Sequence, residues 1–396
     1  MTALDLLTAF SGDRAKKFEQ FFQFSNDNKI VDVQIYAVGT EDTNVQYSSK
    51  WGVWKQTNNI LRIKTKDGYE GISGVTSNIE GEFTDKHLLE LESIASVLLD
   101  IESLDPLEVE KLIKIHKPDL SDESLSSIDI ALWDLAARKA SIPLYKLLGG
   151  ERESIQAYAS LPFYDSLPDY IKAVNEYSKL GLLVFKFHAW GLIKEDSKLI
   201  NIIQKEFAET RYRFMLDLEG EYNFDEALKL GQIMDENLFI WLEAPIDEGL
   251  LEQYRDLRSR VKIPITADGF NMYSPDFIKQ GIEIGSWDAG RFDVTTIGGI
   301  SKALELLIIS NDANLPIEIQ SWGHSLAQAA NLHLIFANKR TRYFEIPMPK
   351  EAYEFGMSNG ILFKDGKVYA TMDHGLGINV DWDKLSTADY FIKTRG

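Results

Sequence analysis

The sequence predicts an α/β protein whose main part is a (β/α)8 barrel of the TIM type, with an N-terminal α+β domain that the C-terminal segment completes. Two observations support this prediction. After Gly149-Gly150 the chain holds eight short apolar segments typical of strands, at 155–161, 182–190, 213–219, 239–245, 263–269, 287–294, 316–322 and 343–347. Most of them end in a polar residue, and these residues follow one another at steps of 25 to 31 positions: Lys186, Asp217, Glu243, Asp268, Asp293, Gln320 and Glu345.

A step of this size corresponds to one strand, one loop and one helix. Eight such units close a barrel of about 250 residues, and residues 151 to 350 come near to that length. The active site of such a barrel lies at the carboxyl ends of its strands, where the polar residues fall. An open, doubly wound sheet is the competing arrangement, but no glycine-rich phosphate loop follows the first strand. The barrel is therefore the preferred prediction.

The first 150 residues show strands followed by helices, which is typical of an α+β domain. Val31 to Gly39 and Ile60 to Thr65 have the composition of strands. The polar and aromatic stretch between them, Thr40 to Asn59, is predicted to be a loop and carries Trp51 and Trp54.

From His87 to Arg138 apolar residues recur at helical spacing, so this stretch is predicted to be helical. The C-terminal pattern ILFKDGKVYATM returns to strands, followed by DHGLGINVD. We expect this end to pack on the N-terminal domain, because a closed barrel has no vacant sheet edge. The predicted boundaries are 1–29 for an amphipathic N-terminal extension, 30–150 for the α+β domain, 151–350 for the barrel and 351–396 for the C-terminal return.

Composition narrows the classes of function. The formal net charge of −19 disfavours nucleic acid and anionic membrane surfaces as partners. The absence of cysteine excludes disulfides, thiolate zinc sites and cysteine nucleophiles. The N-terminal sequence is a poor signal peptide, and no stretch reaches transmembrane length, so a cytoplasmic protein is expected.

The segment Val184 to Trp190, VFKFHAW, combines strand-forming residues with two ionisable ones. Alternate residues of a strand share one face, so Lys186, His188 and Trp190 are predicted to point the same way. An edge strand with one wet face would explain the lysine equally well. In a closed barrel, however, both ionisable side chains would point into the site.

Asp217, Glu243 and Asp268 end three successive predicted strands. Neighbouring strands lie about 4.8 Å apart, so the three carboxylates would converge and repel one another. A divalent cation removes this repulsion, and oxygen-only ligation favours Mg²⁺ over zinc. The alternative is that one or more of these acids form a salt bridge with a lysine or arginine, but three acids in register favour a metal site.

Three motifs resemble the enolase superfamily, mandelate racemase subgroup. SIDIALWDLAARKASIPLYKLLGG (127–150) resembles its linker helix, the acidic series resembles its Mg²⁺ ligands, and DHGLGINVD (373–381) resembles its C-terminal return to the capping domain. The resemblance covers the chain from about residue 30 to its end. It implies a barrel whose α+β cap closes over the substrate, and abstraction of a proton α to a carboxylate with Mg²⁺ stabilising the enediolate.

Carried over by position, the resemblance makes Asp217 and Glu243 metal ligands. Phe270 stands where many racemase-like members have glutamate, while Asp268 matches the aspartate of muconate cycloisomerases and is taken as the third ligand. The second strand usually carries Lys-x-Lys, and here it carries Lys186-x-His188. Lys186 would neutralise the substrate carboxylate, and His188 would be the general base.

On the seventh strand the resemblance implies a histidine paired with an aspartate on the sixth. Asp293 fits the aspartate, but Gln320 stands in place of the histidine. Glutamine cannot exchange protons near neutral pH, so one face of the substrate lacks a base. His324 could reach back to this position or lie at a helix start. Glu345 matches the carboxylate that hydrogen-bonds the substrate carboxylate, with a barrel-end salt bridge as the alternative.

Four tryptophans are candidate substrate contacts. Trp190 and Trp322 end strands near the predicted site and could stack on a sugar face, although core packing explains them equally well. Trp51 and Trp54 lie in the predicted loop that the resembling family uses for substrate selection.

The sequence therefore predicts a Mg²⁺-dependent dehydratase that converts a sugar acid into a 2-keto-3-deoxy acid, acting as a homo-oligomer. A racemase or a lactone cycloisomerase of the same superfamily is the main alternative. A glycoside hydrolase using Glu243 and Glu345 would leave the third carboxylate and Lys186 unexplained. A non-catalytic sugar-acid-binding protein on the same fold is the remaining alternative.

Overall fold

The computed structural model describes residues 1–45, 54–80, 86–272, 274–386 and 390–395. The chain begins with helix α1 (Ala3–Ser11) and a 3-10 helix (Asp13–Phe21). Thr2 starts α1 in a capping box with Asp5, in which each side chain accepts the other residue's backbone N–H. Leu6 and Leu7 are buried, so the extension uses one apolar face to pack on the rest of the protein.

An antiparallel sheet follows, formed by β1 (Ile30–Val45), β2 (Trp54–Thr65) and β3 (Glu70–Glu80). The prediction of a loop from Thr40 to Asn59 was wrong at both ends, because β1 continues to Val45 and β2 already begins at Trp54; its middle, residues 46–53, lies outside the described residues. β3 was not predicted at all. β2 pairs with β1 on one side and with β3 on the other. Hydrogen bonds to both neighbours keep its polar residues extended, although the composition of this segment is typical of a loop.

Three helices cover this sheet, as the periodicity predicted, and a short fourth leads to the barrel: α2 (Lys86–Asp100), α3 (Pro106–His116), α4 (Asp122–Lys139) and α5 (Leu144–Leu147). Asp105 caps α3 ahead of Pro106 at its first position, and Ser121 caps α4. The helices bury Ile128 and Leu132 of α4 against the apolar face of the sheet.

The second part of the chain is the predicted (β/α)8 barrel. Its six extended strands are β4 (Ser154–Ser160), β5 (Val184–His188), β6 (Arg213–Asp217), β7 (Phe239–Glu243), β8 (Ile265–Thr266) and β9 (Tyr343–Pro347). The helices around them are α6 (Leu167–Tyr177), α7 (Ile193–Phe207), α8 (Phe224–Ile233), α9 (Leu251–Arg258), α10 (Pro275–Ile284), α11 (Gly299–Asp312) and α12 (Ser325–Ala337). β9 pairs in parallel with β4 and closes the ring.

The sixth and seventh strands are short, and isolated bridges join them to their neighbours. Ala289 bridges Thr266, and Gly290 bridges Ile317. The seventh strand is joined to β9 by a side chain. Ser321 Oγ accepts a hydrogen bond from Glu345 N at 2.8 Å and donates one to Glu345 O at 3.0 Å. The hydroxyl of Ser321 thus helps to position Glu345.

The C-terminal segment divides between the two sheets. A hairpin of β10 (Phe363–Lys364) and β11 (Lys367–Tyr369) pairs antiparallel with β4, so the prediction that ILFKDGKVYATM packs on the N-terminal domain was wrong. The reason is that β5 pairs with β4 only at Ala159 and Ser160, which leaves an edge at the start of β4. After α13 (Trp382–Leu385), β12 (Tyr390–Arg395) pairs with β1 and does return to the first sheet.

The buried helix α4 connects the first sheet, the barrel and the C-terminal segment. Its Asp134 carboxylate accepts from Ile72 N of β3 at 2.8 Å and from Leu376 N at 2.6 Å, and it pairs with Arg138 at 2.7 Å. Asp129 accepts from Ser301 N at the start of α11 at 3.1 Å. Cap and barrel are therefore held together by polar groups of α4. Within the described ranges, no helix is long and apolar enough to span a bilayer.

Candidate active site

The carboxyl ends of β5, β6 and β7 bring ionisable residues side by side. The parallel register places His188 beside Asp217, and Asp217 beside Glu243. Because strand neighbours lie about 4.8 Å apart, their side chains share one small space when they point into the barrel. All three are buried.

Lys186 lies at the centre of this space and contacts three carboxylates. Its Nζ is 3.0 Å from Asp217 Oδ2, 3.1 Å from Glu243 Oε1 and 3.0 Å from Glu345 Oε1. Burial alone would lower the pKa of Lys186, yet the three carboxylates raise it well above its ordinary value. Lys186 is therefore a permanent cation inside the barrel.

Arg291 is a second buried cation at this site, and the sequence interpretation missed it. Its Nε is 2.9 Å from Glu243 Oε1, and its Nη2 is 3.3 Å from both Glu345 Oε2 and the hydroxyl of Tyr158. Burial raises the pKa of Glu345, but Lys186 and Arg291 together lower it to about 2. A signal existed, because Arg291 precedes Asp293 by two positions in the predicted strand 287–294, where alternate residues would share one face.

The ring of His188 is held at one nitrogen. Its Nδ1 lies 2.6 Å from the carbonyl oxygen of Leu161. A carbonyl oxygen can only accept, so Nδ1 carries the proton and Nε2 carries the lone pair. Nε2 is 3.7 Å from Asp217 Oδ2 and 3.6 Å from Glu219 Oε1. Burial, reinforced by Lys186, lowers the pKa of His188 to about 4, which keeps the imidazole neutral at pH 7.

Glu219 is a further acidic residue that the interpretation missed. Glu219 has a φ of +52°, and this left-handed turn after β6 directs its carboxylate to His188. A glutamate in the sequence does not indicate a positive φ, so the position of this side chain could not be predicted from the sequence.

The three predicted metal ligands, Asp217, Glu243 and Asp268, do not all lie within metal-binding distance of one another. Donor atoms of His188, Asp217 and Glu219 lie within 4.8 Å of one another, and this is the one group of three that meets this spacing in the part of the chain that the structure describes. Between Asp217 and Glu243 lies the ammonium of Lys186. Asp268 follows β8, is not part of this group and remains a predicted ligand.

A rigid turn carries Asp268. The carboxylate of Glu248 accepts from Gly269 N at 2.7 Å and from Asn271 N at 2.6 Å, so it fixes the backbone on both sides of Phe270. The Phe270 side chain is exposed and contributes no ligand, as its apolar character requires. Glu248 was not singled out from the sequence.

Asp293 and Gln320 do not form the pair that a racemase-like histidine would make. Asp293 Oδ1 accepts from Thr295 N, Thr295 Oγ1 and Asn331 Nδ2, each at 2.8 Å. The Gln320 amide donates to the backbone oxygen of Asp268 at 2.9 Å. Burial raises the pKa of Asp293 to about 6. Both side chains thus hold backbone around the site.

His324 and Trp322 lie together near the end of the seventh strand. Their rings lie 5.8 and 5.6 Å from the ring of Tyr353, in the segment after β9. His324 is the N-cap residue of α12 and is buried, which lowers its pKa to about 4. Its position at a helix start agrees with the second of the two interpretations given above, but its burial excludes a surface residue.

The predicted common face of Lys186, His188 and Trp190 is wrong for Trp190. β5 ends at His188, so strand alternation stops there. The indole of Trp190 packs at 5.3 Å from the ring of Tyr170 in α6 and donates to the Tyr164 carbonyl at 2.9 Å. Trp190 is therefore a packing residue between barrel and helix.

The last two predicted substrate contacts are Trp54 and Trp51. Trp54 starts β2 rather than lying in a loop. Trp51 falls outside the described residues.

The electrostatics of the strand ends fit a divalent cation. Burial together with Asp217, Glu248 and Glu243 raises the pKa of Asp268 well above its ordinary value. Burial together with Asp217 and Asp268 does the same for Glu219. Acids that raise one another's pKa have too little positive charge near them to compensate their own negative charge. A divalent cation would supply that charge, and carboxylate oxygens are ligands that suit Mg²⁺.

Two family models match the chain. The one described as the N-terminal domain of mandelate racemase / muconate lactonizing enzyme matches residues 30–149, and the one described as enolase C-terminal domain-like matches residues 169–384. A solved structure assigned to the mandelate racemase/muconate lactonizing enzyme group, from Pseudovibrio sp., is 30% identical with a TM-score of 0.88, covering 93% of this chain and 100% of that one.

Named relatives catalyse different reactions. L-talarate/galactarate dehydratase of Salmonella typhimurium is 24% identical over 350 residues, 83% of this chain and 82% of that protein. Its structure with Mg and L-lyxarohydroxamate has a TM-score of 0.81 at 21% identity, covering 93% and 95% of the two chains. D-Ala-D/L-Ala epimerase of Cytophaga hutchinsonii is 24% identical over 340 residues, 85% of this chain and 92% of that protein. Similarity alone thus leaves the reaction open.

Proposed function

Because the chain belongs to the mandelate racemase/muconate lactonizing enzyme branch of the enolase superfamily, we propose that it is an enzyme that abstracts the proton α to a carboxylate with the help of Mg²⁺. The reaction that its site supports best is the dehydration of a sugar acid to a 2-keto-3-deoxy acid. Relatives named as talarate/galactarate and arabinonate dehydratases agree with this substrate class.

The observation on which this proposal depends is the asymmetry of the site. One side offers the neutral imidazole of His188, whose Nε2 faces the carboxylates of Asp217 and Glu219 at the strand ends. The seventh strand offers Gln320, whose amide is hydrogen-bonded to backbone. A racemase needs a base on each face of the α-carbon, whereas a dehydratase needs only one to remove the α-proton.

Asp217, Glu243 and Asp268 would hold the divalent cation, and Glu219 lies close enough to Asp217 to join them. A cation bound there supplies positive charge to the substrate carboxylate as negative charge develops on it. Lys186 adds a fixed positive charge beside Asp217 and Glu243.

In the reaction, Nε2 of His188 takes the α-proton, and the electron pair of that C–H bond forms the double bond of the enediolate. The bond from the β-carbon to its hydroxyl then breaks, and the oxygen leaves as water after it receives a proton. The resulting enol tautomerises to the 2-keto acid. His188 can return its proton to the departing hydroxyl if elimination is syn, so one residue serves both steps.

The test is a panel of mono- and diacid sugars incubated with the purified protein, with and without Mg²⁺, and assayed for 2-keto product. The proposal predicts that at least one acid sugar gives a 2-keto-3-deoxy product that requires the metal. Accumulation of an epimer or a lactone without keto product would instead assign the racemase or cycloisomerase alternative.

A glycoside hydrolase is disfavoured by the surroundings of its two candidate acids. A glycosidase holds the glycosidic bond between its two carboxyl groups, whereas Lys186 and Arg291 each contact both Glu243 and Glu345 and so occupy the space between these two acids. Glycosidase activity that survives chelation with EDTA would reverse this conclusion. Metal binding without turnover of any acid sugar would indicate a binding protein.

A further inference from the structure

We propose that Arg291 is a positioning residue that competes with the divalent cation for Glu243, while it ties Glu243 to Glu345, and so sets the metal affinity of this chain. This inference rests on the metal site of the proposed function. It concerns a residue of the barrel interior that the sequence interpretation missed and that contacts both acids at once.

Arg291 is fixed from several sides. Its side chain is 1% exposed. The guanidinium carbon lies 5.7 Å from the ring centre of Trp241, and the hydroxyl of Tyr158 is 3.3 Å from Nη2. A guanidinium in contact with an aromatic ring and two carboxylates has little freedom to leave, so its charge is a constant of the site.

The contacts of Glu243 show what the cation must displace. Its Oε1 is shared by Lys186 at 3.1 Å and Arg291 at 2.9 Å, and its Oε2 accepts from the indole N–H of Trp241 at 3.0 Å. Both oxygens are thus occupied by protein donors. A carboxylate that is already neutralised attracts a cation less strongly than one that is not.

Glu345 repeats this pattern. Lys186 contacts its Oε1 at 3.0 Å and Arg291 contacts its Oε2 at 3.3 Å. Two fixed cations therefore hold Glu243 and Glu345 side by side between the strands. With Arg291 gone, Glu243 keeps only Lys186 as a charged partner and becomes a stronger ligand.

A purely structural ion pair is the simpler alternative, and one detail speaks against it. The Nε–H of Arg291 makes no aligned hydrogen bond within the described part of the chain, although Glu243 Oε1 is only 2.9 Å away. A pair that served only to stabilise the fold would be expected to align this buried donor. The pair is instead close but imperfect, because Oε1 of Glu243 is shared with Lys186, and such a contact can be displaced more easily than an aligned one.

The experiment measures metal binding by the full chain without any substrate. Metal-free protein is titrated with Mn²⁺, free Mn²⁺ is followed by electron paramagnetic resonance, and Kd is compared between wild type and Arg291→Met. Removing one positive charge next to a doubly charged ion is expected to lower Kd about tenfold or more. An unchanged or higher Kd in Arg291→Met overturns the proposal, and so does the absence of Mn²⁺ binding in every variant.

Two controls separate charge from packing. Arg291→Lys keeps the positive charge to which the proposal attributes the effect, so its Kd should stay within about threefold of wild type. Arg342→Met removes an arginine at the same 5.7 Å distance from the Trp241 ring, but one that pairs with Glu318 outside the site, and Kd should not change. A tenfold lower Kd in Arg342→Met would show a non-specific effect of charge and overturn the proposal.

Arg291→Met leaves two buried carboxylates with less compensation, so it can fail to fold. The double variant Arg291→Met/Glu345→Gln removes one charge of each sign and is compared with Glu345→Gln alone. The double variant should bind Mn²⁺ about tenfold more tightly, and equal binding overturns the proposal. Because no substrate is used, a failed sugar-acid screen would not affect this result.

Discussion

The Nδ1 atom of His188 lies 2.6 Å from the carbonyl oxygen of Leu161, the residue that follows β4. This contact determines which ring nitrogen can act as a base. Since the carbonyl cannot donate, the imidazole must be the Nδ1–H tautomer, with Nε2 turned to the space beside Asp217 and Glu219.

We predict that ¹⁵N NMR at pH 7 shows His188 as a neutral ring protonated at Nδ1. The protein is labelled at histidine, and the signal is assigned by its loss in His188→Gln. A ring protonated at Nε2, or an imidazolium at pH 7, would contradict the role of Nε2 as the proton acceptor.

The low pKa of His188, about 4, predicts the pH dependence of catalysis. The neutral form is the base, and it remains above nine-tenths of the population down to about pH 5.5. We therefore expect the kcat/KM of the active acid sugar to show no loss from this group between pH 8 and 5.5. An acid limb centred near pH 6.5 that disappears in His188→Gln would show that burial and Lys186 do not depress the pKa.

Asp134 connects the cap, the barrel and the C-terminal segment. Among the residues that join these parts, we expect its replacement to lower the free energy of unfolding most. Asp134→Ala removes the acceptor of Ile72 N and Leu376 N and leaves Arg138 without its buried partner. Unfolding in urea should show a loss of about 3 kcal/mol or more.

The matched control for Asp134 is Glu123→Ala, which removes an exposed acid from the same helix. It should change the free energy of unfolding by less than about 1 kcal/mol. Similar losses in both variants would refute the special role assigned to Asp134.

His87 gives a pH dependence of stability that is independent of the active site. Burial lowers its pKa from 6.5 to about 4, against a smaller opposite effect of Glu90. A lowered folded-state pKa means that the unfolded chain binds the proton first. The contribution of His87 to stability is therefore complete above pH 6.5 and is lost as the pH falls from 6.5 to 4.

Replacement by glutamine removes this titration while keeping a polar group near Ser124 and Ser127. The stability of His87→Gln relative to wild type should improve by about 2 kcal/mol when the pH is lowered from 7.5 to 5. Urea unfolding at both pH values measures this difference, and a difference that does not vary with pH would contradict the burial argument.

Much of the fold and part of the site followed from the sequence because parallel strands impose strict rules. The constant step placed Asp217 and Glu243 at neighbouring strand ends, where the register now pairs them. Lys186 and His188 face the site because residues two apart share a face of a strand.

What failed to follow depends on local geometry. Trp190 was misplaced because β5 stops two residues before it. Glu219 contacts His188 because of a left-handed turn that its residue type does not predict. The hairpin of β10 and β11 uses an edge of β4 that exists only because β5 pairs late along it.

The central claim, that His188 alone moves the α-proton in a dehydration, is tested most directly in D2O with the acid sugar found in the screen. NMR of the wild-type reaction should show a 2-keto-3-deoxy acid with one deuterium at C3 and no epimer at C2. NMR of the His188→Ala reaction should show neither this product nor deuterium exchange at the α-carbon. Deuterium exchange at the α-carbon that survives in His188→Ala, or an epimer formed by wild type, would contradict the account.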